Sequence, residues 1–198
     1  MTPKRFKPKT ILIGDDYAFG YNRSGNAKTM EELGRKYGFD VEVIPEVDSK
    51  GTPVRSSRIR HLLAGGKVRD AAELLGRDYS LSGKIVHGKG IGRALGFPTV
   101  NIHVDKDKLV PMPGVYSGYC VVNNALHTCA ISIGERETFG KEYTIVVEAY
   151  LLDFKGNLYG KRITLFFEKF IRKQKKFKDK KALRSQIKKD VRKLALSS

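Results

Sequence analysis

Five segments rich in β-branched and aromatic residues crowd the interval from residue 79 to residue 170 of this 198-residue chain. They are Tyr79–Val86, Gly114–Val122, Leu126–Ile133, Glu142–Asp153 and Lys161–Phe170. Turn signals separate several of them, notably Asn123-Asn124 and Asp153-Phe-Lys-Gly-Asn157. Short strands joined this closely pair antiparallel, and five or six of them predict a small closed barrel, because closure removes exposed edges. Beyond them, Leu183, Ile187, Val191 and Leu194 recur at helical spacing amid Lys and Arg. That apolar stripe predicts a C-terminal helix lying against the barrel.

The front of the chain has a different rhythm. Thr10–Ile13 reads as a short buried-type strand ending at Gly14. Thr29 and Glu32 have capping-box spacing ahead of a helix that carries Met30, Leu33 and Tyr37 and stops at Gly38. Val41 and Val43 alternate into a second strand, and Ser56 or Ser57 is the expected cap of a helix bearing Ile59, Leu62 and Leu63. Another short helix over 67–75 ends at Gly76. Strand, helix, strand, helix suggests a parallel sheet. The expected class is therefore α+β overall, with a partial α/β segment over 1–76 and a barrel with its helix over 77–198. Two parallel strands with helices on one side leave an apolar face and an unpaired edge. That predicts a front segment that packs poorly alone, docks on another chain, or continues a longer sequence.

Charge narrows the partners without selecting one. The net charge is +17, and residues 168–198 hold 13 Lys and Arg against 3 Asp and Glu. Such a run reads first as the solvated face of a helix, with RNA or acidic lipid as the alternative. No apolar run reaches membrane-spanning length and the N-terminus lacks a signal-peptide core, so the expected location is cytoplasmic, with no membrane partner. Cys120 and Cys129 form no metal or redox motif. A two-residue turn at Asn123-Asn124 would put Cys120 opposite His127 and diagonal to Cys129, which favours reduced thiols.

Residues 88–101, Gly88-Lys-Gly-Ile-Gly-Arg-Ala-Leu-Gly-Phe-Pro-Thr-Val-Asn101, carry the chemistry. Glycines at 88, 90 and 92, with Lys89 and Arg93 among them, give a backbone that can bend around phosphate. By spacing alone they read equally as a plain barrel connection. Pro98 stiffens the chain before Thr99 and Asn101, whose oxygens share a face of an extended strand. Two neutral oxygens beside a phosphate loop suit Mg²⁺ on a nucleotide and point to phosphoryl transfer. Glu148 interrupts the apolar run Ile145–Leu152. It is either a solvent-facing strand residue or a carboxylate positioned to accept the proton of an attacking hydroxyl.

Residues 79–193 resemble the riboflavin kinase domain of bacterial bifunctional riboflavin kinase/FAD synthetases. The resemblance rests on Tyr79-Ser-Leu-Ser-Gly83, Gly92-Arg-Ala-Leu-Gly-Phe-Pro-Thr-Val-Asn101, Gly114-Val-Tyr116, Ile133-Gly-Glu-Arg-Glu-Thr-Phe-Gly140, Glu148-Ala-Tyr-Leu-Leu-Asp-Phe154, Leu158-Tyr-Gly160, and a tail holding Arg172, Phe177 and Asp190. It implies a six-stranded Greek-key barrel with a C-terminal helix. It also implies that Thr99 and Asn101 hold Mg²⁺ and ATP phosphate under a loop from Gly88 to Gly92. Glu148 would be the base for the ribityl 5′-hydroxyl of riboflavin, Arg172 near the start of the tail a flavin-site or phosphate-site contact, and the loop over 88–101 would lie at the mouth of the barrel. Ser132 stands where the family usually has asparagine, Glu137 where it has proline, and Tyr150 where histidine is common.

Gly14-Asp-Asp-Tyr-Ala-Phe-Gly20 and Val54-Arg-Ser-Ser-Arg-Ile-Arg60 resemble the later half of the FMN adenylyltransferase domain of the same enzymes. Ser56, Ser57 and Arg60 would be a vestigial phosphate site, and the early two-histidine nucleotide motif of that activity is missing from these 198 residues. The expected function is thus ATP:riboflavin 5′-phosphotransferase with Mg²⁺, yielding FMN and ADP, and nucleic acid is not the expected partner. Two rivals stand beside it: FMN and FAD synthesis completed by a missing N-terminal half, and a non-catalytic basic protein that binds RNA.

Overall fold

The computed structural model describes residues 7–49, 51–137 and 143–195. They fall in two compact units, Met1–Val54 and Arg55–Ser198.

In the first unit, β1 (Thr10–Gly14), α1 (Ala27–Tyr37) and β2 (Asp40–Ile44) form a strand–helix–strand turn in which β1 and β2 pair in parallel. A two-stranded ribbon of β3 (Asp48–Ser49) and β4 (Thr52–Pro53) follows. The helix starts before the expected capping box. Asn26 is its cap, accepting from the Thr29 amide at 3.1 Å, so Thr29 lies inside the first turn. Gly38 ends it at φ 76°, a left-handed position that favours glycine. Ile13 is buried on one face of the pair, whereas Leu12 is 59% exposed and Ile44 is exposed on the other. That exposed face is mixed rather than apolar, since Leu12 lies beside Glu42 and Thr10 beside Asp40.

The second unit opens with α2 (Ser56–Ala64) and α3 (Val68–Leu75). Neither Ser56 nor Ser57 caps α2; Arg55 occupies the cap position, and its side chain makes no capping hydrogen bond. Both helices pack with the barrel. Leu63, Val68 and Ala71 are buried in the same cluster as Leu81, Tyr116 and Phe167, and the Met112 amide donates to the Leu63 carbonyl at 3.0 Å. Compactness therefore begins at Arg55, ahead of the 76/77 boundary that pattern alone suggests.

Six strands close the barrel: β5 (Tyr79–Val86), β6 (Thr99–Val104), β7 (Gly114–Val122), β8 (Ala125–Glu137), β9 (Tyr143–Leu151) and β10 (Arg162–Arg172). Their spatial order is β10-β5-β6-β9-β8-β7, every neighbouring pair is antiparallel, and β7 returns to β10. Of the expected strand limits, Glu142 lies outside the described residues. Asp153 falls in a turn at φ 55° rather than in β9. Between β5 and β6 lies a single helical turn, α4 (Ile91–Ala94), and α5 (Lys180–Ala195) ends the described chain. Among the described residues no helix is long and apolar enough to cross a membrane.

Alternation dictates the interior. Leu81 and Ile85, Ile131 and Ile133, Val147 and Ala149, and Leu165 and Phe167 all point inward and are buried. Asn123 and Asn124 both adopt positive φ, the left-handed turn that matches strand twist, which puts Cys120 opposite His127 as expected. Both thiols are free and buried, with Sγ atoms 3.4 Å apart. Glycines sit where strands approach most closely: a Cβ on Gly118 would lie 2.0 Å from the Phe166 carbonyl oxygen. Gly118→Ala is expected to lower unfolding free energy by about 1–3 kcal/mol through overpacking. Urea denaturation reads this as a lower midpoint at unchanged slope.

Candidate active site

The alternation that buries Val147 and Ala149 turns Glu148 to the outside of the barrel wall. The same rule turns Asn101 outward on β6, where Ile102 is buried, and Ser132 outward on β8, between Ile131 and Ile133. Register then aligns them. Asn101 and Ser132 lie opposite Glu148 on either side, and Thr99 opposite Tyr150. Thr99 Oγ1 donates to Glu148 Oε2 at 3.3 Å, so hydroxyl and carboxylate are already in contact. The cluster sits on the outer wall, not at the barrel mouth, because the core-facing positions are filled by apolar side chains.

Above it runs the glycine loop. Gly90 takes φ 70° as the residue preceding α4, and Phe97 N–H returns to the Gly92 carbonyl at 2.8 Å. A Cβ on Gly88 would sit 2.2 Å from the Asn101 side-chain amide. One on Gly92 would meet the Phe97 carbonyl oxygen at 2.4 Å and Thr99 Oγ1 at 3.1 Å. Glycine is what lets this loop lie on the two residues proposed to hold a cation. The short helix within the loop is absent from the sequence pattern because one turn has no periodicity to read.

Two cavities meet at Thr99. One, of about 350 Å³, is lined by Arg93, Pro98, Thr99, Phe154, Asn157 and Tyr159 among others. The Tyr159 ring stacks on His87 at 4.0 Å. The other, of about 320 Å³, holds Lys89, Gly90, Gly92, Thr99, Asn101 and Glu148 beneath an apolar wall of Phe97, Phe177, Leu183 and Ile187. The loop, Thr99, Asn101 and Glu148 are therefore brought together as expected.

Arg172 also lines the second cavity, but its guanidinium is committed. Nε and Nη2 donate to the Asp190 carboxylate at 3.0 and 2.7 Å, Nη1 donates to the Lys173 carbonyl at 3.1 Å, and the group lies 5.9 Å from the Phe177 ring centre. Asp190, 3% exposed, also accepts from Gln186 at 2.8 Å. Arg172 is thus first a wall support. Ser56, Ser57 and Arg60 are exposed at the start of α2 and line neither cavity.

Sequence reasoning passed over Gln174, whose amide donates to Ser132 Oγ at 3.0 Å and to the Ile133 carbonyl at 2.8 Å. It also gave Asp190 no role. A signal for Asp190 existed: it is the lone acid after residue 179, three residues past Ile187 on the apolar stripe, where a carboxylate requires a partner.

Comparison with known proteins matches residues 75–197 to the riboflavin kinase family model. This chain belongs to the riboflavin kinase family. Residues 1–58 match the FAD synthetase model. The chain is similar to, among others, the bifunctional riboflavin kinase/FMN adenylyltransferase of Buchnera aphidicola subsp. Acyrthosiphon pisum. That relative is 37% identical, with 92% of this chain and 59% of that protein covered. The protein of the same description from Escherichia coli K12 is 30% identical, covering 94% and 59%. The chain thus spans about three fifths of the length of these relatives. A solved structure described as a macrolide-efflux protein from Streptococcus pneumoniae aligns with TM-score 0.80 and 28% identity, over 94% of this chain and 60% of that one.

Because Gly88 abuts Asn101, Gly88→Ala is expected to displace that amide without disturbing the barrel. On the phosphotransferase reading proposed below, calorimetric affinity for Mg²⁺-ADP should fall about tenfold, the scale of one lost polar contact. The thermal midpoint should hold.

Proposed function

We propose that this riboflavin kinase family member transfers the γ-phosphate of ATP to the 5′-hydroxyl of riboflavin, giving FMN and ADP. The observation that carries this reading is the contact between Thr99 and Glu148 at the seam of two cavities, one on each side of the line a phosphoryl group would cross. The cavity with Arg93 and Tyr159 suits the nucleotide. The more apolar one under Phe177 and Ile187 suits a flavin ring.

Glu148 takes the proton of the 5′-hydroxyl as its oxygen attacks the γ-phosphorus, and the bond from phosphorus to the bridging β–γ oxygen breaks to release ADP. Phosphoryl transfer asks mainly for alignment and charge neutralisation, and the glycine loop with Lys89 supplies both. The donor set fits Mg²⁺: Thr99 and Asn101 offer neutral hard oxygens beside a carboxylate. Among the described residues no group of three or more His, Cys, Asp or Glu is gathered to hold a metal, so a cation here would share the nucleotide's own oxygens. When bound, Mg²⁺ neutralises the charge that builds on the phosphates.

The FAD synthetase match over 1–58 favours a second product, FAD, formed by adenylyl transfer to FMN with further residues of that family. Ser56, Ser57 and Arg60 are the candidate phosphate contacts for it.

Incubation with riboflavin, ATP and Mg²⁺ followed by chromatography of the flavins tests both readings. FMN is the expected product; FAD in the same chromatogram would establish the second. Glu148→Gln should lower kcat by about 10²-fold or more, the range for loss of a general base, with the fold intact. A variant as fast as the parent would sink the assignment of the base. RNA binding without any FMN would return the chain to a basic binding protein.

A further inference from the structure

The last helix is tied to both sides of the site. On the acceptor side, Asp190 of α5 grips Arg172 at the end of β10, and Arg172, Phe177 and Asp190 line the cavity that holds Glu148. On the donor side, Arg184 reaches back across 89 residues, and its Nε donates to the Leu95 carbonyl at 3.1 Å. Leu95 closes the one-turn helix α4, whose Arg93 lines the first cavity, and the Leu95 side chain is buried in the wall of the second. A carbonyl at a helix end has no partner within the helix, so an arginine there both satisfies it and suits the negative end of the turn. Between these ties, Leu183 and Ile187 span the cavity.

We infer that α5 is a strap with two anchors, in which Arg184 positions the glycine loop for nucleotide and Asp190 positions the wall for the phosphoryl acceptor. This rests on the proposed kinase reading and extends it to two residues that touch neither reacting group. The loop's own backbone bonds, such as Phe97 N–H to the Gly92 carbonyl, fix its shape, and the tie from Arg184 fixes where it lies over Asn101 and Thr99. The strap supplies that tie from the element that also closes the acceptor side.

Steady-state kinetics on the full chain separate the anchors. Arg184→Gln should raise KM for ATP about tenfold, the scale of one lost charged hydrogen bond, and leave KM for riboflavin within about twofold. Arg184→Lys should recover most of the loss, since an ammonium can still donate to the Leu95 carbonyl. Asp190→Asn should do the reverse, raising KM for riboflavin about tenfold with KM for ATP near the parent value. Equal changes in both constants from either variant, in step with a fall in thermal midpoint, would mean a merely structural helix and overturn the inference. So would an Arg184→Gln variant that behaves as the parent. If Asp190→Asn does not fold, the Arg184 pair decides alone. A parent chain that forms no FMN overturns the kinase reading and the strap together, whereas FMN formation with unsplit constants overturns the strap only.

Discussion

Every strand of a small barrel must bury each second side chain, and the rest of this molecule follows from that requirement. Val147 and Ala149 fill the interior, so Glu148 between them faces out. Ile102 and the pair Ile131 and Ile133 do the same for Asn101 and Ser132. Antiparallel register then sets these outward residues side by side across β6, β9 and β8. The candidate chemistry lies on the outer wall because the core leaves no room for it within.

An open wall would expose those groups to water, and the covering layers are held by polar ties. The Arg172–Asp190 pair is nearly buried and bidentate, with Gln186 taking part of the remaining capacity of the carboxylate. Removing one member of such a pair costs about 3–5 kcal/mol, because the other charge is left without a partner in a poorly hydrated place. Opposite it, glycines bring the loop over residues 88–97 down to side-chain contact with Thr99 and Asn101. Covering helix and loop meet at the bond from Arg184 to Leu95.

The fold of the second unit was largely legible. Alternating apolar residues and the Asn123-Asn124 turn point to the barrel, and the stripe from Leu183 to Leu194 points to the covering helix. Local signals were less faithful. Thr29 with Glu32 has the spacing of a cap, yet Asn26 performs that task, since a single residue type three positions earlier competes equally well. Ser56 and Ser57 sit inside α2 rather than before it. Helices α2 and α3 follow the strands of the front segment in sequence but bury Leu63, Val68 and Ala71 with the barrel, a choice made by packing partners that no local pattern names.

Residue types and spacings along the chain were enough to place the strands and to single out the glycine loop, Thr99, Asn101 and Glu148 as candidates, while their roles came from the family resemblance. Those signals are local, since periodicity and side-chain chemistry act over a few residues. Which groups meet is not local. The contact of Thr99 with Glu148 spans 49 residues, that of Arg184 with Leu95 spans 89, and Arg172 meets Asp190 across a separation of 18 residues. Such pairings depend on strand register and barrel closure, which come into being when the whole core packs at once.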